Sequence, residues 1–176
     1  NLKRNRENVR RPERITTEDA EKRKTEKHHG DVKPATRTRN VREASWFFVS
    51  DLHGHLDRYR KLFDAIERER PAAVLLGGDL LPSLAWARHD VHGEFVAEVL
   101  GAGFAALRAR LAESYPAVFL IFGNDDPRCE EPPVLEFSRD GLWEYVHGKK
   151  SACGGFPVYG YAWVPPTPFR LKDWER

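Results

Sequence analysis

The chain has 176 residues, 40% hydrophobic and 32% charged, the size and balance of one globular domain. Its net charge of +2 is unevenly held, because residues 1–44 carry 14 Lys+Arg against 8 Asp+Glu and the remainder carries 15 against 19. No apolar run reaches the ~20 residues of a membrane span, no apolar secretory signal opens the chain, and Cys129 and Cys153 are too few for a disulfide framework.

Residues 1–44 hold only Leu2, Val9, Ile15, Val32 and Val41 as large aliphatics, on no shared face. Such a segment buries too little apolar area to offset its chain entropy, so a disordered basic tail is expected there. Arg10, Arg11, Arg14 and Lys22-Arg23-Lys24 are candidate contacts to an anionic surface. Acidic residues interrupt every cluster and no aromatic is present to stack on bases, so nucleic acid is not an expected partner. His28-His29 reads as a solvated pair.

At Ser45 the composition changes. Trp46-Phe47-Phe48-Val49 is aromatic and β-branched, the pattern of a buried strand. Leu56, Tyr59, Leu62, Phe63 and Ile66 then share a helical face, which Pro71 ends. Ala72–Leu76 reads as a second buried strand, Val96, Leu100, Phe104, Leu107 and Leu111 as one face of a long helix, and Ala117–Phe122 as a third strand. Strands alternating with helices, each strand continuously apolar, predict an α/β fold with a parallel sheet covered on both faces. Beyond Pro133 the pattern weakens, with strands expected at Leu142–Val146 and Phe156–Tyr161 around the Gly154-Gly155 turn. The folded domain therefore spans residues 45–176.

Each buried strand ends in residues able to hold a metal: Asp51 and His53, then Asp79, then Asn124, Asp125 and Asp126. Taken singly, Asp-x-His, Gly-Gly-Asp and Asn-Asp-Asp-Pro are turn and capping signals. Together, and each after a strand, they converge where ligands bind in open parallel sheets. Clustered carboxylates repel unless a cation lies between them, and mixed Asp/His/Asn donors suit Mn, Fe, Zn, Co or Ni. A central carboxylate, Asp79, can bridge two such ions ~3.5–4 Å apart, which activate water and clamp phosphoryl oxygens. Arg128 is a candidate bidentate phosphate ligand. His55 reads as an exposed helix-start residue, His89 and His92 as loop residues, and Trp163 and Trp174 as packing residues.

Ser50-Asp51-Leu52-His53-Gly54, Gly78-Asp79-Leu80 and Gly123-Asn124-Asp125-Asp126 resemble the first three motifs of the calcineurin-like metallophosphoesterase superfamily. The match covers residues 46–128, and Val146–Lys149 and Gly160–Phe169 are similar to its Icc-related branch. The resemblance implies a metallophosphoesterase-type α/β sandwich and two divalent ions, Mn favoured. In it Asp51 and His53 bind the first ion, Asp79 bridges, and Asn124 binds the second. Asp125 and Asp126 are the catalytic candidates, Asp125 lining the pocket and Asp126 orienting the loop.

Two departures qualify this. Asp125 stands where the family usually has a histidine that assists the leaving group, which implies phosphodiesters rather than monoesters. The family's later histidine and Gly-His-x-His motif are missing, His147 being the sole histidine after Asn124, in a strand-edge context. The chain contains no methionine and stops within folded-looking sequence, so it is expected to be an N-terminal portion, incomplete at its C-terminus and weak in turnover. The rival expectation is a non-catalytic binding or scaffold module on the same fold. A phosphate ester is the expected substrate, and the cytoplasm the expected compartment.

Overall fold

The computed structural model describes residues 45–83 and 94–176, all within one compact unit. The tail at residues 1–44, with His28-His29, and the pair His89 and His92 lie outside the described residues.

Three of the expected strands form where the apolar runs place them: β1 (Trp46–Val49), β2 (Ala73–Leu76) and β3 (Ala117–Leu120). They pair in parallel, with Trp46 opposite Ala73 and Ala73 opposite Ala117. Helix α1 (Leu56–Glu69) follows β1 and buries Tyr59, Leu62 and Ile66. Asp57 in its first turn and Arg68 in its last suit the helix dipole. Arg70, in left-handed conformation, donates its N–H to the Ile66 carbonyl, and Pro71 prevents continuation. The long helix predicted from Val96 is realised in two parts, a π-helical Val96–Gly101 and α2 (Ala102–Leu111). Its predicted face is buried throughout: Val96, Leu100, Phe104 and Leu107 are fully enclosed and Leu111 nearly so. Each such side chain contributes ~1.5–3 kcal/mol through burial.

The weak region after Pro133 holds a helix the sequence pattern did not reveal. Helix α3 (Glu131–Arg139) begins with Pro132 and Pro133 in its first turn, where a missing N–H costs nothing. Strand β4 follows but is only two residues, Glu144–Tyr145, parallel to β3. The expected strand from Phe156 is β6 (Phe156–Tyr159), antiparallel to β5 (Lys150–Cys153), a strand absent from the sequence reading.

The strand order β1-β2-β3-β4 follows the sequence. Right-handed crossovers that all step in one direction put every helix on one face. That face carries Phe47, Val49, Val74, Leu76, Val118 and Leu120 into the main core with the helices. The opposite face packs Ala73, Phe119 and Val146 against Val158 of the hairpin. The expected cover of both faces is thus met by helices on one side and by a hairpin over part of the other. Phe48 on β1 remains 71% exposed. Among the described residues no helix is long and apolar enough to cross a membrane.

Candidate metal centre

The β1 and β2 ladder does not stop where the strands do. Asp51, His53 and Gly54 donate their N–H groups to the carbonyls of Gly78, Asp79 and Leu80 at 3.1, 2.8 and 2.9 Å, closing the first two loops onto one another. Asp51, His53 and Asp79 themselves adopt left-handed backbone, φ 57°, 47° and 52°. Side-chain-bearing residues avoid that region, at a cost of order 1 kcal/mol each, and such strain gathers at functional sites. Glycines stand where the loops touch. A Cβ on Gly78 would lie 2.5 Å from the Gly123 nitrogen, and one on Gly123 would lie 2.2 Å from Asp79 Oδ1.

The third loop is fastened to the second by two acidic residues. Asp125 donates its backbone N–H to Asp79 Oδ1 at 2.9 Å. Asp126 is fully buried, and its carboxylate accepts the N–H groups of Leu80 and Leu81 on Oδ1, at 2.9 and 2.8 Å, and of Gly123 on Oδ2, at 2.8 Å. Burial pushes this carboxyl up to about 7, with the Asp79 charge adding, against the lowering effect of the three N–H donors. Asp126 is enclosed by backbone, which makes it a positioning residue for the loop. The Trp174 indole N–H donates to its main-chain carbonyl at 2.7 Å, and the Tyr59 hydroxyl to the Leu80 carbonyl at 2.8 Å.

The ligand atoms of Asp51, His53 and Asp79 lie within 4.8 Å of one another. His53 Nε2 is 3.8 Å from Asp51 Oδ1, and His53 Nδ1 is 3.4 Å from Asp125 Oδ2. Burial raises the Asp79 carboxyl above its ordinary range. The Asp125 N–H and His53 oppose the rise, and the Asp51 and Asp125 charges add to it. Three carboxylates gathered around one imidazole repel one another, a repulsion that a divalent cation relieves. A tetrahedral ion ~2.0–2.2 Å from each donor holds donors ~3.3–3.6 Å apart, so side-chain movements of up to about 1–1.5 Å close the set. Carboxylate, imidazole and carboxylate fit a borderline divalent ion.

Asn124 occupies the turn between Gly123 and Asp125, half-buried, one residue from the contact to Asp79. Arg128 lies one turn further on, its Nε 3.0 Å from Glu131 Oε2 and its guanidinium over the Trp163 and Trp174 rings at 5.4 and 5.5 Å. His55 is the exposed residue preceding α1. His147 is engaged elsewhere through Nδ1, which accepts the Ala162 N–H at 3.1 Å, and its ring packs on Trp163 and Trp174.

The sequence reading missed three contributors. Ser50 Oγ donates to Asp51 Oδ2 at 2.5 Å, and the Arg58 guanidinium donates to the Asp51 carbonyl. Arg58 stands in the first turn of α1 while Asp51 lies in the loop before it, so no helical spacing links the two and nothing in the sequence marked the contact. Trp174, 48 residues from Asp126, carried no local signal.

No curated protein matches this sequence. A solved chain is similar at 15% identity with a TM-score of 0.46, the overlap covering 72% of this chain. The present chain thus spans 56% of that one. The calcineurin-like phosphoesterase profile matches residues 47–171, from β1 through all three acidic loops to the segment before Trp174. With a donor set that fits a divalent ion at the tips of its parallel strands, the chain belongs to the calcineurin-like phosphoesterase family.

Proposed function

We propose that this chain hydrolyses phosphate esters, phosphodiesters in preference to monoesters, with divalent cations held at the strand tips. The observation that carries the reading is the convergence of Asp51, His53 and Asp79 from two adjacent strand ends to within 4.8 Å. In this reading Asp51, His53 and Asp79 hold one ion, and Asp79 with Asn124 holds the second, with Mn favoured. When bound, the ions supply Lewis acidity that lowers the pKa of a coordinated water and polarises the phosphoryl oxygens.

The chain's own groups do the rest. Asp126 holds the second and third loops in register. Among the described residues Arg58, hydrogen-bonded to the Asp51 carbonyl, and Arg128, held by Glu131 on the segment after the third loop, are candidate cations for a phosphate oxygen. Asp125 lines the pocket where a histidine would donate a proton, which supports substrates whose leaving group needs no such donor.

A second reading, a metal-binding module with little turnover, has one observation in its favour. His147, the sole histidine after Asn124, is committed to Ala162 and the indoles. Hydrolysis of bis-p-nitrophenyl phosphate and p-nitrophenyl phosphate with added Mn separates the two. Diester turnover that disappears in Asp79→Ala supports the hydrolase. Tight Mn binding without turnover supports the binding module. Neither binding nor turnover overturns both.

A further inference from the structure

The His53 ring lies between two carboxylates on different loops. Nε2 faces Asp51 Oδ1 at 3.8 Å and Nδ1 faces Asp125 Oδ2 at 3.4 Å. A neutral imidazole carries one proton, and the two tautomers have different consequences here. With the proton on Nδ1, the ring donates toward Asp125 and turns the Nε2 lone pair toward Asp51, within the set of atoms able to share an ion. With the proton on Nε2, the N–H would be directed at Asp51 Oδ1, the longer contact at 3.8 Å and across the space a cation needs, and the Nδ1 lone pair would face the nearer Asp125 carboxylate.

The Asp125 side chain is well placed to decide between them. Its own backbone N–H is fixed on Asp79 Oδ1 at 2.9 Å, so the residue that faces the His53 ring is tied to the neighbouring ligand. The side chain is 26% exposed, beside a 31% exposed imidazole, which shields the contact from much of the solvent. Metal-binding histidines commonly donate their second ring N–H to a carboxylate, which sets ring orientation and ligand basicity.

We infer that Asp125 is a positioning residue that fixes His53 with its proton on Nδ1, so that Nε2 is the ring atom presented to a cation alongside Asp51 and Asp79. The assignment rests on the metal-dependent reading above and deepens it. It gives Asp125 a role toward the ion in place of one toward the leaving group. The third loop then contributes twice to the arrangement of ligands from the first two, through the Asp125 N–H on Asp79 and its carboxylate on His53.

The test uses the full chain, with ¹⁵N-detected histidine spectra of the metal-free protein at pH 8 and calorimetric titration with Mn. The His53 signals are assigned by their loss in His53→Asn. The wild type is expected to show His53 as the Nδ1–H tautomer. Asp125→Ala retains the backbone N–H to Asp79, and is expected to mix the tautomers and weaken Mn binding about 10–100-fold. Asp125→Asn, whose amide oxygen accepts the same N–H, is expected to restore the tautomer and most of the affinity. Asp125→Ser, too short to reach the ring, is expected to behave as Asp125→Ala and serves if that variant does not fold. Wild-type tautomer in Asp125→Ala or Asp125→Ser overturns the inference, whatever happens to affinity. Loss of the tautomer in those variants, from a wild type that takes up no Mn, supports the His53–Asp125 pairing and refutes the metal-dependent function.

Discussion

Asp126 offers the sharpest test of how the site is held together. Its carboxylate is fully buried and accepts three backbone N–H groups, two from the loop carrying Asp79 and one from the loop carrying Asn124. Asp126→Ala leaves two buried donors and one half-buried donor without acceptors, at about 1–3 kcal/mol each. It also removes a carboxyl raised from 3.8 to about 7. A shift of roughly three units makes the ionised form ~4 kcal/mol dearer to bury at pH 8, and deletion returns that part. The balance is a net loss of about 2 kcal/mol, or about 5–10 °C in Tm for a domain of this size. Asp126→Asn should lose less, because its amide oxygen still accepts from Leu80 and Leu81 and only the Gly123 N–H meets another donor. Thermal and urea unfolding at pH 8, paired with calorimetric Mn titration, provide the measurement. Unchanged unfolding and unchanged Mn affinity in Asp126→Ala would refute the idea that this carboxylate clips the two loops.

Three further outcomes are expected. Gly123→Ala should abolish Mn binding while largely preserving the circular dichroism spectrum, because the added methyl meets Asp79 Oδ1 at 2.2 Å and the Asp79 nitrogen at 2.4 Å; wild-type affinity would contradict it. Trp174→Phe keeps an aromatic ring but strands the buried Asp126 carbonyl, so urea unfolding should show a loss of about 1–2 kcal/mol, and no loss would count against the indole bond. Burial lowers the His147 pKa below 6.5, with Arg128 adding and Glu131 opposing. Its protonated form is therefore disfavoured in the fold, and stability present above pH 6.5 is lost as pH falls below it. Urea midpoints at pH 7.5 and 5.5 should fall less in His147→Asn than in the wild type, and equal slopes would exclude this residue as the cause.

The sequence was most legible where one local physical cause dominated. Trp46–Val49, Ala73–Leu76 and Ala117–Leu120 are apolar runs too short for helices, and Pro71 and Pro116 punctuate them. The acidic loops were readable because each follows such a run directly. Helix α3 was hidden because Pro132-Pro133 looks like a break unless both prolines fall in a first turn. Strand β5, Lys-Ser-Ala-Cys, has neither the β-branching nor the apolar content of a strand, and is defined by its pairing with β6. Single-file strand order cannot be read from alternation alone, so the uneven cover of the two faces was not visible. Asp126 was expected to orient the loop, but its full burial could not be read, since an acid in a polar tetrad gives no sign that backbone will enclose it. The approach of Asp125 to His53 spans two loops 72 residues apart, and only the folded chain brings them together.

The left-handed backbone at Asp51, His53 and Asp79 places protein engineering and chemistry in opposition. A glycine at any of the three would relax the turn, and a search for heat-tolerant variants that screened folding alone would favour it. Each such gain would delete a donor. Selection for thermal robustness without an activity screen should therefore drift toward well-folded proteins that have lost the donors a cation would need.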